Sequence, residues 1–182
     1  MTTTDADAVR VVLEGDADAF RILVDRYYDR CLRLATHLLG AGGDAEDAVQ
    51  DAFLRAYRHL GAYQERDRFS VWLFRIVVNQ CRTLGARRRG TMQLHARAAL
   101  EHGLGEPAVE HPADDDATRE ELQRALARLE PDQREAVVLK FSEDLTYDEM
   151  AAVTGVGVSA LKMRVQRACR RLRAMLTETN HV

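Results

Sequence analysis

The sequence predicts an all-α protein of two small helical bundles joined by a flexible acidic linker. Three observations carry that reading. Apolar residues recur at helical spacing along nearly the whole chain, with no clear period-two run. A stretch rich in Gly, Pro and Asp, residues 91–117, breaks the periodicity. Charge also falls in alternating blocks: Lys+Arg minus Asp+Glu is −4 over residues 1–60, +6 over 61–100, −7 over 101–135 and +2 over 136–182.

The first long helix is written in the stripe Phe20, Leu23, Tyr27, Cys31, Leu34 and Leu38, closed by Gly40 and the loop AGGD. The next helix carries DAEDAVQDAFLRAY, residues 44–57. At about 100° per residue, Asp44, Asp47, Gln50, Asp51, Leu54, Arg55 and Arg58 share one face, and Ala45, Ala48, Val49, Ala52, Phe53, Ala56 and Leu60 share the other. After the loop GAYQERDRF, Ser70 is placed to cap a helix whose buried side is Leu73, Ile76, Val77, Gln80 and Leu84. These helices are expected to form one bundle over residues 1–90.

Gly103, Gly105, Pro107 and Pro112 interrupt any helix in the 91–117 linker, and HPADDDA is too polar to pack. The second bundle, 118–182, opens with Leu122, Ala125, Leu126 and Leu129. Pro131 suits the first turn of the following helix, which carries Ala136, Val137, Val138 and Phe141. Thr146 and Glu149 have capping-box spacing, opening a short helix to Ala152. The turn TGVGV then leads to a longer helix from Ser159, the arrangement of a helix-turn-helix.

The last helix separates an apolar stripe, Leu161, Val165, Ala168, Cys169, Leu172, Met175 and Leu176, from a basic remainder. Residues 159–173 hold six cations and no acid: Lys162, Arg164, Arg167, Arg170, Arg171 and Arg173. The second helix of such a motif enters the major groove by its N-terminal residues, where Arg and Lys reach guanine edges or phosphates and an apolar side chain such as Met163 meets a thymine methyl. The middle basic segment mixes Tyr63, Phe69, Trp72 and Phe74 with arginines, a combination that suits unstacked single-stranded bases. One bundle thus looks fitted to melted strands and the other to duplex. An acidic face between two basic ones cannot approach the same phosphates, so Asp44, Asp47, Gln50 and Asp51 are expected to point at protein.

The totals close other routes. A chain of 182 residues allows one ordinary domain or two small ones. No stretch approaches the roughly 18 apolar residues of a membrane span, and MTTTDADAVR lacks the basic and apolar runs of a signal peptide, so a cytoplasmic protein with no stable membrane insertion is expected. Cys31, Cys81 and Cys169 are isolated, which argues against a disulfide framework or zinc site. No cofactor, metal site or catalytic motif is expected, and the protein reads as a non-enzyme.

The order GDADAF, DAEDAVQDAFLRAY, WLFRIVVN, LEPDQREAVVLK, LTYDEMAAVTGV and LKMRVQRACRRL resembles the extracytoplasmic-function (ECF) sigma factors of bacterial RNA polymerase across nearly the whole chain. The resemblance implies that the first bundle is sigma region 2 and the second is region 4, with the linker threading a polymerase channel. It implies that Asp44, Asp47, Gln50, Asp51 and Phe53 dock on the β′ clamp helices of core RNA polymerase. Tyr63, Arg68, Phe69, Trp72, Arg75, Asn79 and Arg82 would then read and open the promoter minus-ten element. Arg134, Thr146, Tyr147, Ser159, Lys162, Met163, Arg164, Gln166 and Arg167 would serve the minus-thirty-five element. Contact with the polymerase β flap and restraint by an anti-sigma factor are implied as well. Ser159-Ala160 and Met163 depart from the Gly-Thr and small polar residue common in the family, so the base read by Met163 should differ.

Two other readings compete. A stand-alone helix-turn-helix regulator uses the basic helix but leaves the acidic face unexplained. A helical metalloenzyme built on Asp44, Asp47 and Asp51 lacks a second acidic helix or E-x-x-H pair to complete its ligand set.

Overall fold

The computed structural model describes residues 3–40, 43–64, 68–102 and 117–179, and the side chains of these except 92–102, 117–120 and 178–179. Eight α-helices and two short 3-10 turns make up the described residues: α1 (Asp5–Leu13), α2 (Phe20–Leu39), α3 (Gly43–Arg58), α4 (Phe69–His102), α5 (Ala117–Ala127), α6 (Pro131–Phe141), α7 (Tyr147–Thr154) and α8 (Val158–Thr179).

The helix α1 lies ahead of the first expected stripe. It is set by a capping box in which Thr4 Oγ1 accepts from the Asp7 amide at 3.1 Å while the Asp7 carboxylate accepts from the Thr4 amide. Tyr27 Oη donates to Asp5 at 2.6 Å and Arg26 pairs with the same carboxylate, fixing α1 on α2.

Helices α2, α3 and α4 pack together as the first bundle. The stripes expected for them are buried at Leu23, Cys31, Leu34, Ala48, Val49, Ala52, Leu73 and Val77. The run of alanines on α3 matters here: with no side chain beyond Cβ, Ala45, Ala48, Ala52 and Ala56 let the helix lie close to its neighbours. Acids in its first turn, Asp44 and Glu46, and bases in its last, Arg55 and Arg58, match the helix macrodipole.

Three expectations are corrected. The helix expected to begin at a Ser70 cap starts at Phe69, and Ser70 is buried inside it. It also runs past residue 90 to His102, so the linker assigned to 91–117 starts as helix; the remainder, 103–116, lies outside the described residues. The short helix of the second bundle extends to Thr154, two residues beyond Ala152.

In the second bundle α6 packs against α8 and α7 against both. Pro131 stands at the start of α6, as the sequence indicates. Both arms of the Thr146–Glu149 capping box form, the Thr146 amide donating to Glu149 at 2.8 Å and the Glu149 amide to Thr146 Oγ1 at 3.2 Å. Helix α7 ends on Gly155 at φ 73°, the left-handed conformation that glycine adopts without steric cost. Leu139, Leu145, Met150 and Leu161 fill the centre.

Candidate protein and nucleic-acid interfaces

The acidic face of α3 is intact in three dimensions. Asp44, Asp47, Gln50 and Asp51 are all exposed, and the alanine face opposite is buried. Arg88 of α4 lies 3.7 Å from Asp44 and donates to the Leu39 carbonyl at 3.4 Å, holding the start of this helix against the end of α2. Phe53 stands apart from the four polar residues. It is only 7% exposed, edge-on to Phe20 at 6.4 Å and stacked with Tyr28 at 6.3 Å. Phe53 thus lies beneath the face, on the alanine side that the helical spacing indicates. The exposed apolar neighbours on this side are Leu54 and Tyr57, the latter 5.2 Å from Phe20.

The candidate minus-ten residues divide between surface and core. Arg68, Arg75, Asn79 and Arg82 are exposed, while Tyr63 and Trp72 are half-buried. Phe69 is buried at the centre of an aromatic cluster, with ring centroids 5.4 Å from Tyr27, 5.4 Å from Tyr63 and 5.6 Å from Trp72. A ring enclosed this way offers no face to a base. Phe69 packs beneath Tyr63 and Trp72, which are half-buried and lie 5.6 Å apart at their ring centroids.

The helix-turn-helix of α7 and α8 has the polarity its sequence requires. Leu161, Val165 and Ala168 are buried, whereas Ser159, Lys162, Met163, Gln166 and Arg167 are exposed. Met163, at 48% exposed, stands free on the basic side. Arg164 is partly withdrawn, 2.7 Å from Asp132 at the start of α6. Tyr147 lies between two cations, with Lys140 Nζ 5.3 Å and Lys162 Nζ 5.6 Å from its ring centre, so its face fixes their positions. Thr146 is exposed but has its hydroxyl engaged in the cap.

Arg134 is placed differently from the exposed cations of α8. Its guanidinium turns inward, donating to the carbonyls of Leu126 at 2.8 Å, Ala127 at 2.7 Å, Leu129 at 3.4 Å and Leu38 at 2.9 Å. In this arrangement it satisfies orphan carbonyls at the ends of α5 and α2 and presents no donor fork to DNA.

Sequence reasoning missed the contacts between the bundles. Arg82 meets Glu135 with two parallel bonds, Nη2 to Oε1 at 2.7 Å and Nε to Oε2 at 2.8 Å, and also donates to the Thr154 carbonyl at 3.3 Å. Arg30 lies 3.1 Å from Glu143 and 5.1 Å from the centre of the Phe74 ring. Arg68 lies 3.1 Å from Glu149, and Gln123 meets His37 at 2.7 Å. The available signal was an acid at the start of an apolar run, as in EAVVLK.

An apolar groove of about 700 Å³ opens between α5, α6 and α8, lined by Leu122, Leu126, Val138, Phe141, Leu172 and Leu176 among others. Phe141, carried by the helix after Pro131, is 65% exposed at this groove. Among the described residues there is no group of three or more His, Cys, Asp or Glu able to hold a metal ion. Nor is any helix among them long and apolar enough to cross a membrane.

An acidic-faced helical bundle beside a helix-turn-helix whose second helix is basic has the charge layout of a DNA-binding protein. Comparison with known proteins identifies which kind. The family models "Sigma-70 region 2" and "Sigma-70, region 4" match residues 23–91 and 119–172. The ECF RNA polymerase sigma factor SigM of Mycobacterium tuberculosis is 36% identical over 97% of this chain and 87% of its own length. The ECF RNA polymerase sigma-E factor of Escherichia coli (strain K12) is 31% identical, covering 91% of this chain and 90% of the relative. Among solved structures, CnrH in complex with the cytosolic domain of CnrY superposes with a TM-score of 0.69 at 27% identity, over 94% of this chain and 96% of CnrH. The sigma factor RpoE of Bartonella quintana, solved with the anti-sigma factor NepR, gives 0.66 at 27% identity over 87% and 96%. The chain belongs to the ECF sigma factors of the sigma-70 family, and it is an RNA polymerase sigma factor.

Proposed function

We propose that this sigma factor docks on core RNA polymerase through the α3 face of Asp44, Asp47, Gln50 and Asp51, and brings two DNA-reading surfaces to the promoter. The observation that carries this is the separation of charge: an exposed acidic face on one helix and an exposed basic face on the recognition helix of the same chain. The acidic face takes the β′ clamp helices. Tyr63, Trp72, Arg68, Arg75, Asn79 and Arg82 serve the minus-ten strand, with Phe69 behind them. Ser159, Lys162, Met163, Arg164, Gln166 and Arg167 serve the minus-thirty-five duplex, with Thr146 and Tyr147 at its edge. The first bundle thus acts as region 2 and the second as region 4.

The protein is regulatory and supplies no catalysis; core polymerase performs the chemistry. It acts in the cytoplasm, where polymerase and promoter are. The groove at Phe141 gives the β flap an apolar seat, and an anti-sigma factor restrains the chain, as the anti-sigma factor NepR binds the similar sigma factor RpoE.

Transcription in vitro with core polymerase on a promoter library tests the reading. Initiation from a subset sharing two spaced elements is expected. DNA binding to a single element with no initiation would instead indicate a stand-alone regulator.

A further inference from the structure

Two acids at the start of α6 face two arginines of the recognition helix. Asp132 lies 2.7 Å from Arg164, and Glu130 lies 3.8 Å from Arg171. The two arginines are seven residues apart on α8, two turns or about 10.5 Å along one flank, with Arg167 between them on the same side. Neither acid is engaged as a cap. Glu130 stands at the N-cap of α6 without a side-chain cap bond, and Asp132 sits in the first turn, where its charge suits the helix dipole but demands no partner. Both acids are exposed, and among the cations of residues 159–173 only Arg164 is partly buried. The opposite edge of the basic side is built differently: Lys162 there meets the ring of Tyr147, not a carboxylate. The recognition helix is thus fenced by acids on one flank only.

Attraction between an arginine and a phosphate carries no sequence information, because every duplex offers the same backbone. An unrestrained guanidinium on the flank of a reading helix therefore stabilises seatings in which the base-reading side chains miss the base edges. A carboxylate beside it opposes this twice, by holding the cation and by repelling phosphate. We infer that Asp132, with Glu130 beside it, determines the specificity of the recognition helix as a positioning residue: it ties Arg164 to the protein and keeps phosphate off that flank, so that duplex is accepted along the side of Lys162, Met163 and Gln166. Asp132 itself touches no base. Arg164 serves the duplex from a held position, with part of its fork engaged. The inference rests on the functional reading above, in which α8 reads the minus-thirty-five element.

Duplex binding by the full chain over a series of salt concentrations tests this with two probes: a fluorescent duplex of scrambled sequence, and the duplex that the wild type enriches from a randomised pool. Asp132→Asn is expected to bind the scrambled duplex about two- to fivefold more tightly, the range that an exposed ion pair of this kind is worth. The salt dependence on that probe should steepen by about one further phosphate contact. Binding to the enriched duplex should change by less than about twofold, so discrimination falls. In an Arg164→Gln background, Asp132→Asn should bring no gain on either probe, which a mere change of net charge would not reproduce. No gain on the scrambled duplex, an equal gain on both probes, or the same gain without Arg164 overturns the inference. Failure of the wild type to enrich any duplex would sink the reading of α8 as a sequence reader instead, and the scrambled-duplex comparison still reports on the Asp132–Arg164 pair.

Discussion

Arg30 of α2 reaches Glu143, in the turn after α6, at 3.1 Å, and the carboxylate it meets is almost completely enclosed. Burial raises the Glu143 carboxyl above its ordinary range, and the attraction of Arg30 and the hydrogen bonds of Arg30 and Ser142 do not fully offset it. The folded protein thus retains a proton that the unfolded chain releases earlier. This contribution to stability is full below the ordinary carboxylate pKa and is lost as pH rises through the raised folded value. Urea unfolding at successive pH values should show that decline in the wild type and a flatter profile in Glu143→Gln. Arg30→Ala should steepen it, since the remaining charge loses its partner. Identical slopes in all three would contradict the assignment.

Thr146→Ala removes the hydroxyl that accepts the Glu149 amide, and with it one arm of the capping box. The expected cost is about 1 kcal/mol in thermal unfolding. Thr146→Ser should recover most of that loss, because serine supplies the same oxygen.

Leu161 is fully buried where α8 meets α6 and α7. Leu161→Ala should destabilise the protein by about 2–5 kcal/mol through the lost contacts and the cavity left behind. Because the recognition helix is seated there, duplex binding should fall in parallel, whereas the acidic face of α3 should still capture core polymerase in a pull-down.

Asp47→Lys and Asp51→Lys reverse charges at exposed positions of α3, so unfolding should change by less than about 0.5 kcal/mol. Pull-down by core polymerase should nevertheless drop sharply. Retention of full polymerase binding by both variants would remove α3 from the docking surface.

Arg167→Ala should weaken binding to the minus-thirty-five element by about 1–3 kcal/mol if it forks onto a base edge. Competition binding against scrambled duplex separates the cases: equal loss on every sequence marks a phosphate contact. Met163→Thr, at the exposed centre of the same face, should shift preference at one base pair with little change in overall affinity.

Within each helix, much was legible beforehand, because side-chain periodicity and caps are local. The stripe from Leu23 to Leu34, the alanine face of α3, Pro131 and the Thr146–Glu149 box all follow from spacing of a few residues. Helical spacing already puts Phe53 on the buried face, whereas the inward placement of Phe69 and Arg134 is not legible from spacing. An aromatic or cationic side chain declares its chemistry in the sequence, but whether it faces solvent or the interior depends on neighbours far along the chain. Phe69 is enclosed by Tyr27, and Arg134 reaches back to Leu38. The Arg82–Glu135 and Arg30–Glu143 pairs span 53 and 113 positions, beyond the reach of any helical repeat. Phe141 follows the apolar run Ala136–Leu139 by two positions, yet the groove leaves it open.

The ordered charges of α3, acids in its first turn and bases in its last, have a consequence for recognition kinetics. They favour the helix through its own dipole, while the close alanine contacts lock it against α2 and α4. An incoming partner therefore encounters a finished, rigid template instead of a segment that must order on contact. Little conformational entropy remains to be surrendered at that moment, so selectivity among partners can rest on shape and charge alone.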